Sequence, residues 1–105
     1  VVADIGGGST EFVMASGNAI AAIYSTPVGT VRLTEVYGTD PQATPGKFEA
    51  LIEGIESQLK KATKKPHFAP HLLIGTGGTF TTLAEMIMAL KNQIGLPVRG
   101  YMVTR

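Results

Sequence analysis

Two glycine-rich segments, one near each end of the sequence, constrain its folding more than any other feature. Residues 4–11 read DIGGGSTE and residues 75–79 read GTGGT, and each follows an apolar stretch typical of a strand, Val1–Ala3 and Leu72–Ile74. Glycine adopts positive φ angles and lets backbone N–H groups approach a ligand without an intervening Cβ. Two such turns in one short chain indicate a pair of strand ends shaped to hold an anion.

The first third of the sequence predicts a three-stranded meander. Strand-like segments lie at Val1–Ile5, Thr10–Ala15 and Ala19–Thr26, and short turn sequences separate them. Val31–Glu35 is predicted to form a short helix or a turn. Residues 38–45 are rich in Asp, Pro and Thr and are predicted to form a loop.

The rest of the chain is predicted to alternate helix and strand. Thr44 as N-cap and Pro45 in the first helical position predict a helix that ends near Lys64. Leu72–Ile74 is then the fourth strand, and a second helix is expected from Thr79 to Gln93. The order is therefore βββαβα.

This order predicts an α/β domain with a mixed sheet and flanking helices. It is the layout of the ribonuclease-H-like half-domain of the actin, Hsp70 and sugar-kinase superfamily. Residues 1–105 are expected to form one such domain, with residues 98–103 as a final strand or a connection. The sequence starts within a strand and without an initiator Met, so we expect a piece of a larger two-domain protein.

Composition narrows the possible partners. The net charge of +1 gives no reason to expect nucleic-acid binding. The absence of cysteine excludes disulfides and cysteine-based zinc sites. No apolar run is long enough for a membrane span and no signal peptide is evident, so we expect a cytoplasmic protein without membrane contact.

The first glycine segment carries the residues most suited to a metal and an anion. Asp4 ends the first strand and Glu11 begins the second, and both offer the hard oxygens that a divalent cation prefers. Candidate phosphate donors are the amides of Gly6, Gly7 and Gly8 and the hydroxyls of Ser9 and Thr10. The alternative is a plain glycine-rich β-turn with incidental polar neighbours, although three glycines exceed what a turn needs.

The second glycine segment lies between a predicted strand and a predicted helix. Gly77, Gly78 and Thr79 would therefore place amides at a helix N-terminus, where phosphate binds readily. The alternative is a simple connection in which Thr79 caps the helix. Arg32, between the two segments, would contact a phosphate or pair with Glu35. The segment has neither the Walker A lysine nor the Rossmann glycine spacing.

Three blocks occur together: VVADIGGGSTEF at 1–12, TPVGTVRLTE at 26–35 and GTGGTFTTLA at 75–84. In this order they resemble the exopolyphosphatase/guanosine pentaphosphate phosphatase (Ppx/GppA) family, over nearly the whole chain. The resemblance implies hydrolysis of a phosphoanhydride bond. The substrate would be inorganic polyphosphate, cleaved at its terminal phosphate, or guanosine pentaphosphate, cleaved at its 5′-γ-phosphate.

The resemblance also implies roles for the candidate residues. Mg²⁺ would be the cofactor, held by Asp4, with Glu11 in the same carboxylate cluster tuning the metal or the attacking water. The two glycine segments would clamp phosphate oxygens from two sides. The family's general-base glutamate precedes the segment represented here, so this chain alone is expected to be inactive.

Two other functions stay open at this point. One is a binding module without catalysis, a sensor of phosphate or guanosine polyphosphates. The other is a kinase-type nucleotide-binding domain of the same superfamily. Apolar surface left exposed by half of a two-domain cleft would also favour a homodimer.

Overall fold

A four-stranded mixed sheet forms the centre of the computed structural model, which describes residues 1–40, 42 and 44–104. The strands are β1 (Val2–Ile5), β2 (Thr10–Ser16), β3 (Ala19–Thr26) and β4 (Ile74–Thr76), in the order β3-β2-β1-β4. β1 pairs antiparallel with β2 and parallel with β4, and β2 pairs antiparallel with β3. The predicted meander is confirmed.

Within the described residues, three α-helices accompany the sheet: α1 (Thr30–Tyr37), α2 (Lys47–Ala62) and α3 (Gly77–Leu90). The observed order is therefore βββααβα. The predicted helix or turn at Val31–Glu35 is a helix, α1, and it extends beyond the predicted range at both ends. Residues 98–100 form a bend and a turn and residues 101–103 have no regular secondary structure, so the alternative of a final strand there is wrong.

The predicted start of α2 is wrong. Its N-cap is Gly46, with φ of 77°, and the N–H of Lys47 donates to the Thr44 carbonyl at 3.1 Å. Thr44 thus belongs to a turn before the helix, because the chain needs a left-handed residue there that only glycine adopts readily. α2 ends at Ala62, two residues earlier than predicted. Of the loop predicted over residues 38–45, positions 41 and 43 lie outside the described residues.

The second glycine segment is a strand end joined directly to a helix. Gly75 and Thr76 belong to β4, two residues later than the predicted strand, and α3 begins at Gly77 with Thr76 as N-cap. A Cβ at Gly75 would collide with the ring of Phe80, so this glycine makes room for α3 to pack on the sheet. Thr79 lies inside the first turn of α3 and does not cap it.

The two faces of the sheet differ in character. One face contributes buried Ala3, Thr10 and Thr26, and the side chains of Val28 and Met88 are buried as well. The other face remains open, with Ile23 65% exposed and Ile74 48% exposed. Directly paired residues share a face. On the open face they form two rows across all four strands, the apolar row Ile23–Val13–Val2–Ile74 and the polar row Ser25–Glu11–Asp4–Thr76.

Candidate functional site

The glycine loop between β1 and β2, residues 6–8, is anchored by the N-terminus of α1. The N–H of Thr30 donates to the Gly6 carbonyl at 3.0 Å, and the next two N–H groups of α1 both donate to the Gly7 carbonyl at 2.9 and 3.1 Å. The first amides of a helix have no partner within the helix. In α1 these amides are used to hold the loop, so this helix end is an anchor for backbone carbonyls.

Gly29 and Arg32 complete this anchor. A Cβ at Gly29 would collide with the backbone of Gly7, so α1 can lie against the loop only because position 29 is glycine. The Nε of Arg32 donates to the Gly8 carbonyl at 3.2 Å. The predicted alternative of an Arg32–Glu35 pair is not seen among the described residues, where Arg32 bonds to the glycine loop instead.

The orientation of the loop carbonyls determines where its amides point. The peptide bonds of the described residues are trans, and in a trans peptide the N–H points opposite to the C=O of the same unit. Since the carbonyls of residues 6, 7 and 8 face α1, the N–H groups of Gly7, Gly8 and Ser9 point away from it. These three amides have no hydrogen-bond partner among the described residues. Three successive unpaired amides on one side are donors suited to an anion.

The N-terminus of α3 provides a second set of free amides. Gly77, Gly78 and Thr79 form its first turn, and the N-cap Thr76 makes no side-chain capping bond. Gly77 has φ of 84°, and a Cβ there would collide with the Asp4 carboxylate. Glycine is therefore favoured at position 77 for two reasons, the positive φ and the close approach of the Asp4 side chain. Unlike the first amides of α1, those of α3 remain available to a ligand.

An open groove of about 670 Å³ lies between the two glycine segments. The Thr79 hydroxyl donates to the Ile5 carbonyl at 3.0 Å and so fixes the start of α3 against the end of β1. The groove is lined by Ile5, Gly6, Gly7, Thr30, Gly78, Thr79, Thr82, Leu83 and Met86. It therefore brings together Gly6, Gly7, Gly78 and Thr79, four residues that the sequence predicted to share a site.

Sequence reasoning missed Thr30 and Thr82 in this groove. Thr30 is the first residue of α1, and it lies in the groove because α1 packs against the glycine loop. Thr82 lies three residues after Thr79, a spacing that places both on one side of a helix. That spacing was a readable signal for Thr82, whereas the position of Thr30 depends on the tertiary contact of α1.

The predicted hydroxyl donors are all engaged inside the protein. Ser9 donates to Glu11 Oε1 at 2.6 Å, and buried Thr10 donates to the Val28 carbonyl at 2.6 Å. Thr79 donates to Ile5, as described above. A hydroxyl has one proton to donate. Free donors at this end of the sheet include the backbone amides described above and the remaining guanidinium N–H groups of exposed Arg32.

Asp4 and Glu11 lie directly opposite each other on neighbouring antiparallel strands. Side chains in such pairs have Cβ atoms about 4.5–5.5 Å apart, and like charges there repel. Glu11 Oε1 accepts hydrogen bonds from Ser9 and, at 3.1 Å, from Ser25 of β3. Ser25 was missed, because only the register of β3 places it beside Glu11. Neither carboxylate lines the groove between the glycine segments.

The carboxylates of Asp4 and Glu11 offer hard oxygens of the kind that a small divalent cation prefers. Two opposed anionic groups on an open sheet face are stabilised by a positive ion between them. Among the described residues no cluster of three or more His, Asp or Glu side chains gathers at one place. A pair would leave most coordination positions to water and phosphate oxygens, which is the usual manner of Mg²⁺ binding.

Three features define the class of fold. They are the strand order, the position of both glycine segments at the ends of the paired strands β1 and β4, and the packing of helices on the sheet. The chain is an α/β domain of the ribonuclease-H-like type found in actin, Hsp70 and sugar kinases.

Comparison with known proteins narrows the class to a family. The Ppx/GppA phosphatase family matches residues 1–105. The chain belongs to this family.

Two relatives have names that correspond to the two activities implied by the family resemblance. A guanosine-5′-triphosphate,3′-diphosphate pyrophosphatase from Vibrio parahaemolyticus is 32% identical over 85% of this chain and 18% of its own length. Exopolyphosphatase 2 from Mycobacterium tuberculosis is 32% identical over 86% of this chain and 28% of its own length. The chain thus spans between about a fifth and three tenths of these two relatives.

A solved structure agrees with the fold. The Aquifex aeolicus PPX-GPPA enzyme superposes with a TM-score of 0.68 and 39% identity, over 81% of this chain and 27% of the enzyme. None of the helices in the described ranges has the length and hydropathy needed to cross a lipid bilayer.

Proposed function

We propose that this chain is the phosphate- and metal-binding part of a phosphoanhydride hydrolase. Its substrate would be inorganic polyphosphate, cleaved at the terminal phosphate, or guanosine pentaphosphate, cleaved at the 5′-γ-phosphate. The names of the relatives support both substrates. The observation that carries the proposal is the pair of unpartnered amide sets, from residues 7–9 and from the start of α3, at the same end of the sheet.

The chemistry of phosphoryl transfer suits these groups. The reaction requires in-line positioning and neutralisation of charge on the phosphate oxygens, with little covalent help from the protein. Fixed amides act without reorganising when the charge develops. We assign phosphate contacts to the amides of Gly7, Gly8, Ser9, Gly78 and Thr79, and a further contact to the Arg32 guanidinium.

We assign the divalent cation to Asp4 and Glu11, which the opposed arrangement of the two carboxylates supports. Mg²⁺ would supply positive charge to the phosphate oxygens. The chain's own contribution is to hold the two carboxylates on one face of the sheet and to keep Asp4 against Gly77, at the start of α3. This contact links the metal carboxylates to the second amide set.

Amide NMR of the chain, titrated with inorganic triphosphate with and without Mg²⁺, tests the assignment. We expect shifts at residues 7–9 and 77–79, larger with Mg²⁺ present. An Asp4→Asn variant should keep the shifts and lose most of the Mg²⁺ increment. The exposed basic run at residues 60–65 is the internal control for nonspecific attraction. Shifts confined to this run would contradict the proposed site.

A measurement of phosphate release distinguishes a hydrolase from a binding module without catalysis. In a full-length family member that carries this segment, Glu11→Ala should abolish Mg²⁺-dependent phosphate release. Release at the original rate would remove Glu11 from the reaction. Binding of triphosphate without any release by the unmodified protein would favour the sensor function instead.

A further inference from the structure

Glu11 is held by two hydroxyls on the same oxygen. Ser9, from the glycine loop, donates to Oε1 at 2.6 Å, and Ser25, from β3, donates to the same Oε1 at 3.1 Å. The second oxygen, Oε2, has no hydrogen-bond partner among the described residues. Two donors on one oxygen restrict rotation of the carboxylate group, whose terminal torsion is otherwise broad.

The strand register shows on which side of Glu11 each neighbouring side chain lies. Ser25, Glu11 and Asp4 are consecutive members of one cross-strand row on the open face, with Glu11 in the middle. Ser25 approaches Glu11 from the β3 side, whereas Asp4 lies on the β1 side. The donors occupy one oxygen and leave the other for a cation shared with Asp4.

We propose that Ser25 is a positioning residue for the metal site, one that orients the Glu11 carboxylate toward a divalent cation shared with Asp4. The inference rests on the proposed function, since it requires the cation. Ser25 itself need not touch the metal or the substrate. Hydrogen-bonding partners of metal ligands commonly change metal affinity by about 10–100-fold when they are removed.

The sharpest test compares Ser25→Val with Ser25→Thr. Valine and threonine have nearly the same shape and both suit a strand, so the variants differ in the hydroxyl alone. Mn²⁺ serves as the probe, because it is paramagnetic and broadens amide signals near its site. The apparent dissociation constant is read from broadening at Asp4 and Glu11 in the intact chain, without any enzymatic assay.

We expect Ser25→Val to weaken Mn²⁺ binding by about tenfold or more, and Ser25→Thr to stay close to the original value. Ser16→Val is the matched control, because Ser16 is an exposed serine on the same sheet whose hydroxyl makes no hydrogen bond to another described residue. It should leave the affinity unchanged. Unaltered far-UV circular dichroism confirms that each variant folds.

Two results would overturn the inference. Affinity in Ser25→Val equal to that of the original chain means that Ser25 does not orient Glu11. Equal weakening in the valine and threonine variants means that the hydroxyl is not the cause.

Glu11→Ala separates this inference from the function on which it rests. If Glu11→Ala weakens Mn²⁺ binding while Ser25→Val does not, the metal site stands and only the role of Ser25 fails. If Glu11→Ala binds Mn²⁺ as before, the proposed metal site fails, and the role of Ser25 fails with it.

Discussion

Alanine substitutions at Gly77 and Gly78 should have opposite effects on stability, although the two glycines are adjacent in the first turn of α3. At Gly77 the backbone has φ of 84°, and a Cβ would collide with the Asp4 carboxylate. A side chain in the left-handed region costs about 1–2 kcal/mol, and displacement of Asp4 adds to this. Gly77→Ala should therefore lower the free energy of unfolding by at least about 1 kcal/mol.

Gly78 lacks both constraints. Its φ is not positive, and no atom outside its own helix neighbourhood lies within 4 Å of a Cβ built there. Alanine is a better helix former than glycine by up to about 1 kcal/mol. Gly78→Ala should thus leave the protein as stable as before or stabilise it by up to about 1 kcal/mol.

Thermal unfolding followed by circular dichroism measures both effects. For a domain of this size, 1 kcal/mol corresponds to a shift in Tm of about 4–8 °C. We expect Tm to fall by at least about 4 °C in Gly77→Ala and to hold or rise in Gly78→Ala. A Gly77→Ala variant with the original Tm, or a Gly78→Ala variant that loses as much as Gly77→Ala, would refute this account of how α3 starts.

Three further substitutions test other parts of the site. Thr10→Val should destabilise the fold by about 1–3 kcal/mol, because it leaves the Val28 carbonyl without its buried hydroxyl donor; urea denaturation measures this. Asp4→Asn should stabilise the metal-free chain by about 0.5 kcal/mol at low ionic strength, by removing repulsion from Glu11, and should reduce any rise of Tm with added Mg²⁺. Gly29→Ala should broaden the amide NMR signals of the glycine loop or shift them strongly, since its Cβ collides with that loop; an unchanged spectrum there would contradict the anchor.

Local sequence patterns predicted most of the fold. The turn sequences and alternating apolar positions predicted β2 and β3 to within a residue. The family resemblance was also readable, because the blocks at 1–12, 26–35 and 75–84 are each contiguous. These signals are local, so no knowledge of tertiary contacts was needed to read them.

The boundaries and the hydrogen bonds of the site were less predictable. Glycine is common both in loops and at the edges of helices, so the GTGGT letters do not show that β4 runs directly into α3. Thr10 and Thr79 looked like ligand donors, yet their acceptors lie 18 and 74 residues away in the chain. Ser25 is 14 residues from Glu11. Such partners follow from strand register and helix packing, which a single sequence does not specify.

The contrast between α1 and α3 explains why the middle block matters although it lines the groove only through Thr30. The two helices begin near the same end of the sheet, but the first amides of α1 are bonded to the glycine loop whereas those of α3 are free. By turning the loop carbonyls toward itself, α1 turns the loop amides away. Gly29 permits the approach and Arg32 adds a hydrogen bond to it. A change at Gly29 should therefore alter phosphate binding through the orientation of the loop, without removing any group that contacts the phosphate, whereas a change at Arg32 would also remove a proposed phosphate contact.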